Sequence, residues 1–212
     1  SIESTIEQVK KLMPERIAFY SYAHVPWIKG NGQRGFDEND LPAPEVKRAM
    51  YETGYRLLLE AGYKEVGMDH FALEHDEMYQ SYHAKTLHRN FMGYTASKTQ
   101  LMVGLGVSSI SDSWYAFAQN VKTVEEYYEE IEKNEIPVFK GHLLTDEDLI
   151  IRRHILNIMC HFETNWKDEA LQHKLVFEAE GRLEEMIQDE LLVIKDNSLT
   201  VTEKGKPFVR NI

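Results

Sequence analysis

The sequence predicts an α/β fold: strands and helices alternate in the first half, and a mainly helical unit with a small hairpin follows. Three observations carry this. Short apolar runs bounded by glycine, such as Leu101-Met102-Val103-Gly104, fit strands buried on both faces. Segments with apolar residues at helical spacing stand between those runs, the order that favours a parallel sheet covered by helices. Beyond Ser111 the apolar periodicity becomes helical.

In chain order, residues 3–13 place Ile6, Val9, Leu12 and Met13 on one helical face, and Ser4 with Glu7 resembles a capping box. The chain then enters an expected strand over residues 16–23. Residues 29–40 form a polar loop rich in Gly, Asn and charge. Pro42 and Pro44 precede a helix over residues 45–61 with Gly62 at its C-terminal end. Further strands are expected over residues 64–68 and 101–107, with a helix over 74–85 between them. Between these strands the strings Gly67-Met68-Asp69-His70-Phe71-Ala72 and Leu87-His88-Arg89-Asn90-Phe91-Met92-Gly93-Tyr94-Thr95 gather ionisable and aromatic residues and read as ligand-facing loops. Then come a helix over 123–133 capped by Thr123, an apolar helix from Thr145-Asp146-Glu147-Asp148 through Cys160, and a helix over 171–188. A hairpin turning at Asp196-Asn197 and a short apolar helix end the chain, the order of a small winged-helix unit.

Composition narrows the function classes. The chain has 212 residues, with 24 Lys plus Arg against 35 Asp plus Glu and a formal net charge of −11. Such a surface repels phosphate backbones, so no nucleic-acid partner is expected. In the winged-helix-like unit Glu178, Glu180, Glu184, Glu185, Asp189 and Glu190 have the wrong sign for DNA. Cys160 is the only cysteine, which excludes an internal disulfide or a multi-cysteine metal site and fits a reducing, cytoplasmic setting. No run of eighteen or more apolar residues occurs, so no membrane partner is expected. Asp69, His70, His75, His83 and His88 are irregularly spaced and are read as no metal centre. Helix leads straight into strand at the start, and the last residues are apolar. Both ends read as those of a piece of a longer protein.

Four strings occur in one order and spacing: Phe19-Tyr20-Ser21-Tyr22-Ala23-His24-Val25-Pro26, the two loop strings above, and Gly104-Leu105-Gly106-Val107-Ser108-Ser109-Ile110-Ser111. Together they resemble the oxygen-independent coproporphyrinogen III oxidase (coproporphyrinogen dehydrogenase) family of radical S-adenosylmethionine (SAM) enzymes, over roughly the second half of its members. The resemblance implies that residues 1–120 are the C-terminal part of a radical SAM barrel and residues 121–212 a helical, winged-helix-like domain. It also implies haem-biosynthesis chemistry: a 5′-deoxyadenosyl radical from SAM takes hydrogen from a propionate side chain, and loss of carbon dioxide leaves a vinyl group, turning coproporphyrinogen III into protoporphyrinogen IX.

The cofactors implied are SAM and a [4Fe-4S] cluster, with an electron donor that the sequence does not identify. The family's three-cysteine cluster motif is absent from this chain, so the isolated chain is expected to be inactive. By the same resemblance Ala23 and Ile110 contact SAM, and Phe91 stands beside a second SAM, at a site where Met92 takes the place that the pattern gives to Gln. His88 and Arg89 are candidates for binding a substrate propionate, because guanidinium and carboxylate pair well. No catalytic residue is assigned. Two other readings stay open, a haem-binding or haem-transfer relative of the same fold and a winged-helix regulator.

Overall fold

The computed structural model describes residues 1–27, 35 and 38–212, with the side chains of 38, 179, 180 and 182 left aside. It divides into two units, Ser1–Gln80 and Ser81–Ile212. The junction expected at residue 120 lies inside the second unit, and most of the polar loop expected over residues 29–40 falls outside the described residues.

The first unit opens with helix α1 (Ile2–Leu12), whose N-cap is Ser1 rather than Ser4: the Ser1 hydroxyl accepts from the Ser4 N–H. Strand β1 (Arg16–Ala18) follows, then α2 (Pro44–Glu60), β2 (Lys64–Gly67) and β3 (His70–Ala72). Ile6, Leu58, Tyr63 and Phe71 form the core, with Val9, Ile17 and Phe19 packed against it. Phe19 lies over α2, stacked on Tyr51 with ring centroids 5.5 Å apart, and Gly54 leaves room for it.

The three strands pair in the order β1-β3-β2, both ladders antiparallel. This corrects the parallel sheet expected from residues 16–23, 64–68 and 101–107. Met68 and Asp69 both adopt positive φ (43° and 62°), so the chain reverses within two residues and β3 inserts between β1 and β2. The first ligand-facing loop is therefore a tight hairpin. β1 and β2 do run in one direction, but on either side of β3. Helix α3 (Glu77–His83) is shorter than expected.

The second unit begins with another hairpin, β4 (His88–Asn90) and β5 (Gly93–Thr95), where the second loop was expected. Next comes an antiparallel sheet of β6 (Leu101–Met102), β7 (Ile110–Ser113), β8 (Ala116–Asn120) and β9 (Val138–Leu143), in that order, with α4 (Val124–Glu132) between β8 and β9. The strand expected over residues 101–107 thus ends after two residues, and strands occupy part of the stretch read as helical. The Asn120 amide holds the Gly104 and Gly106 carbonyls, folding residues 103–107 back as a turn.

Helix α5 (Asp146–His161) starts where Thr145-Asp146-Glu147-Asp148 was expected to begin it, with a capping box made by Thr145 and Asp148. After it, β10 (Glu163–Asn165), α6 (Lys174–Arg182), α7 (Glu184–Gln188), β11 (Leu192–Lys195) and β12 (Ser198–Val201) complete a small antiparallel sheet in the order β10-β12-β11. The β11–β12 hairpin turns at Asp196 and Asn197 with positive φ at both, as their residue types favour. Lys206–Asn211 forms a closing 3₁₀ helix.

Candidate functional site

The β4–β5 turn presents Phe91 at its tip. Asn90 Oδ1 accepts from the Met92 N–H at 2.9 Å, and Gly93 takes φ 126°, a conformation that costs a residue without Cβ little. This turn leaves Phe91 59% exposed and Met92 84% exposed. The Phe91 ring meets Phe117 of β8 edge to face, 6.3 Å between centroids. Ile110 opens β7 opposite Gln119. Phe91, Ile110, Phe117, Gln119, Lys140 and His142 line one cleft of about 390 Å³. The structure thus sets Ile110, expected at SAM, and Phe91, expected beside a second SAM, on one cleft. Ala23 belongs to the first unit, exposed in irregular chain beside Tyr22, whose carbonyl accepts from Lys47 Nζ at 2.8 Å.

His88 and Arg89 sit at the base of the same hairpin. His88 is 6% exposed. Burial first, then the nearby Lys98 and Arg152 cations, lower its pKa below the ordinary value, against an opposing pull from Asp112. Arg89 lays its guanidinium over the Tyr94 ring, 4.8 Å to the centroid. Its Nη1 is buried and lacks a hydrogen-bond partner among the described residues. Across the hairpin, Tyr94 donates its hydroxyl proton to the Met159 carbonyl of α5 at 2.7 Å, which fixes the platform on which Arg89 rests.

Behind the cleft, Arg152 of α5 ties the sheet to the helix. It donates to Asp112 at 2.7 Å and to the Ser113 carbonyl at 2.9 Å, with its guanidinium about 5 Å from the rings of both Trp114 and Phe117. Sequence reading missed Arg152, Lys140 and His142. Arg152 lies within an apolar helical run, and β9 is exposed along its length, so its sequence carries no burial alternation.

Asp69 and His70, prominent in the sequence, are held by local structure. Asp69 accepts the Tyr51 hydroxyl proton at 2.8 Å; burial first, and then this bond, raise the Tyr51 pKa, and His70 Nδ1 lies 2.7 Å from the Met68 carbonyl. Among the described residues no three His, Cys, Asp or Glu side chains are grouped to hold a metal. Cys160 is buried in α5, and desolvation pushes its thiol up to about 12.

No family model matches the chain. It is 33% identical over 217 residues to the oxygen-independent coproporphyrinogen III oxidase of Escherichia coli, covering all of this chain and 47% of that protein. To the anaerobic coproporphyrinogen III oxidase 1 of Cereibacter sphaeroides it is 33% identical over 218 residues, with 48% of that protein covered. The solved coproporphyrinogen III oxidase of Escherichia coli, described as a radical SAM enzyme, superposes with a TM-score of 0.92 at 32% identity, over the whole of this chain and 50% of that one. The chain spans about half the length of the curated relatives it matches. Over all of its own length, the chain is homologous in sequence and fold to about half of an oxygen-independent coproporphyrinogen III oxidase, a radical SAM enzyme.

Proposed function

We propose that this chain forms the substrate-facing half of an enzyme that oxidatively decarboxylates coproporphyrinogen III to protoporphyrinogen IX in the cytoplasm, using SAM and an electron donor still to be identified. The observation that carries the reading is the unbroken correspondence of the whole chain to coproporphyrinogen oxidases, in sequence and in fold. On this reading residues 1–120 belong to the C-terminal part of a (β/α) radical SAM barrel. Residues 121–212 form the winged-helix-like domain, supported by the order of α5, β10, α6, α7 and the β11–β12 hairpin. The acidic charge opposes a nucleic-acid partner, and no described helix is long and apolar enough to cross a membrane.

When bound, a [4Fe-4S] cluster would supply the electron that cleaves SAM. The residues present do not fit that cluster, since the one cysteine is buried and its thiol holds its proton. They do fit SAM. Phe91 offers an exposed ring for stacking and Ile110 an apolar wall, and their burial around a ligand would exclude water. Ala23, in the first unit, has a small side chain of the kind that allows close approach by a ligand. Arg89 has an unsatisfied, buried donor that a propionate oxygen would complete, with His88 next to it.

Two measurements test the reading. Coproporphyrin III, the stable oxidised form of the substrate, should bind the chain with quenching of tryptophan fluorescence, and Arg89→Lys should weaken binding because lysine loses the two-pronged geometry. Anaerobic incubation with SAM, iron, sulfide and a reductant should yield no 5′-deoxyadenosine from the 212-residue chain. Absence of porphyrin binding would refute the substrate assignment, and SAM cleavage by this chain would refute the assignment of the cluster to residues outside it.

A further inference from the structure

A second cavity in the Ser81–Ile212 unit, about 530 Å³ in volume, shares no lining residue with the Phe91–Ile110 cleft. Its size is that of a small-molecule site. Lys85, Lys98 and Arg153 line it, together with His88, His161 and Asn157. No described carboxylate lines it, in a chain whose net charge is −11. Such a local reversal of sign concentrates anions.

The cations differ in what already holds them. Lys85 pairs with Glu163, and Lys98 lies 5.4 Å from the Trp114 ring centroid. Arg153, on the exposed side of α5, has no ion-pair partner among the described residues. His161 is the second irregularity: its Nδ1 is buried with no hydrogen-bond partner among the described residues, a cost that folded proteins rarely leave unmet. Burial first, and then Lys85, lower the His161 pKa against the pull of Glu163 and the Cys160 carbonyl. Asn157 also lines the wall, with its amide donating to the Thr164 hydroxyl at 3.3 Å.

We propose that this cavity is an oxyanion site, which takes a carboxylate or phosphate group between Arg153, Lys98 and His161. The group could come from a free small anion or from a propionate of the tetrapyrrole proposed above. His88 lines the cavity, so the second source rests on that proposal, whereas the first does not.

The test uses the full chain, with inorganic phosphate, succinate and coproporphyrin III as separate probes. Calorimetry should give dissociation constants near or below about 1 mM for phosphate or succinate. Nitrogen NMR should show the His161 ring signals moving during the same titration. Arg153→Ala should weaken binding by roughly ten- to a hundredfold, the usual worth of a charge-assisted bond, and Arg153→Glu should abolish it. Arg153 is exposed, so neither variant should disturb the fold, and circular dichroism checks this. Competition by coproporphyrin III for the phosphate site would assign a propionate, and independent binding of the two would assign a free anion. If neither anion binds, or if both Arg153 variants bind as the parent does, the oxyanion site is wrong. Porphyrin binding that depends on Arg89 would survive that outcome, so failure here is separable from failure of the function.

Discussion

Arg152 and Asp112 meet at 2.7 Å with their side chains only 13% and 7% exposed, joining α5 to β7 at the base of the sheet that carries Ile110. Neither group can be removed alone without stranding the other. A buried pair is worth little against an apolar replacement of both partners, yet breaking it costs about 3–5 kcal/mol. Arg152→Ala should therefore lose about that much in urea unfolding, and Arg152→Met combined with Asp112→Leu should recover a large part of it. Equal losses in the single and double variants would show that Arg152 acts through its ring contacts.

Gly54 lies beneath Phe19, and a Cβ built there would fall 2.3 Å from the ring. Alanine is better than glycine in a helix by about 1 kcal/mol. Here the ring is hemmed in by Tyr51 and Phe71, so overpacking at about 1–3 kcal/mol should win. Gly54→Ala should lower the thermal midpoint, and Gly54→Ala with Phe19→Leu should return part of it. A more stable single variant would mean that Phe19 moves aside freely.

His88 and His161 both have pKa values lowered from 6.5 in the folded chain, each chiefly by burial. The unfolded chain then binds protons more readily than the folded one between the lowered value and 6.5. Their contribution is complete above 6.5 and is lost as pH falls through that window. Denaturant midpoints measured from about pH 8 down to about pH 5 should fall on the acid side. His88→Gln should flatten the decline, and an unchanged slope would refute the role of His88.

Cys160 should behave as an inert thiol. Its pKa of about 12 leaves almost no thiolate near neutrality, and the residue is only 1% exposed. A disulfide reagent should label it slowly in the native chain and rapidly in urea. Fast native labelling would contradict the burial described here.

Where local chemistry decides the structure, residue types alone identified the element. Thr145 with Asp148 marks the start of α5, Thr123 that of α4, and Asp196-Asn197 the β11–β12 turn, because each supplies a hydrogen bond or a backbone conformation that its neighbours cannot. Misreadings arose where distant parts of the chain decide. Gly67-Met68-Asp69 reads as an open loop until β1 is present to pair with β3, and parallel pairing was inferred from an order of elements that fits a central antiparallel strand as well. Phe91 and Ile110 were singled out through family resemblance, and the structure sets both on one cleft. That Lys140 and His142 share their cleft depends on β9 pairing with β8 after α4 has intervened.

Strand β9 closes one side of that cleft and is also one of the two outer strands of its sheet, with all six residues exposed. Its backbone pairs with β8 alone, and one exposed side-chain contact, His142 to Asp148 at 3.2 Å, ties it to the first turn of α5, so it can fray while the rest of α5 and the Arg152 anchor stay intact. Amide protons of β9 should therefore exchange with solvent well before those of β7, on a free-energy scale below that of global unfolding. The cleft thus has one yielding wall against a rigid back. A ligand wider than the resting opening could be admitted by displacing Lys140 and His142, at a cost set by a few peripheral hydrogen bonds instead of by the stability of the whole unit.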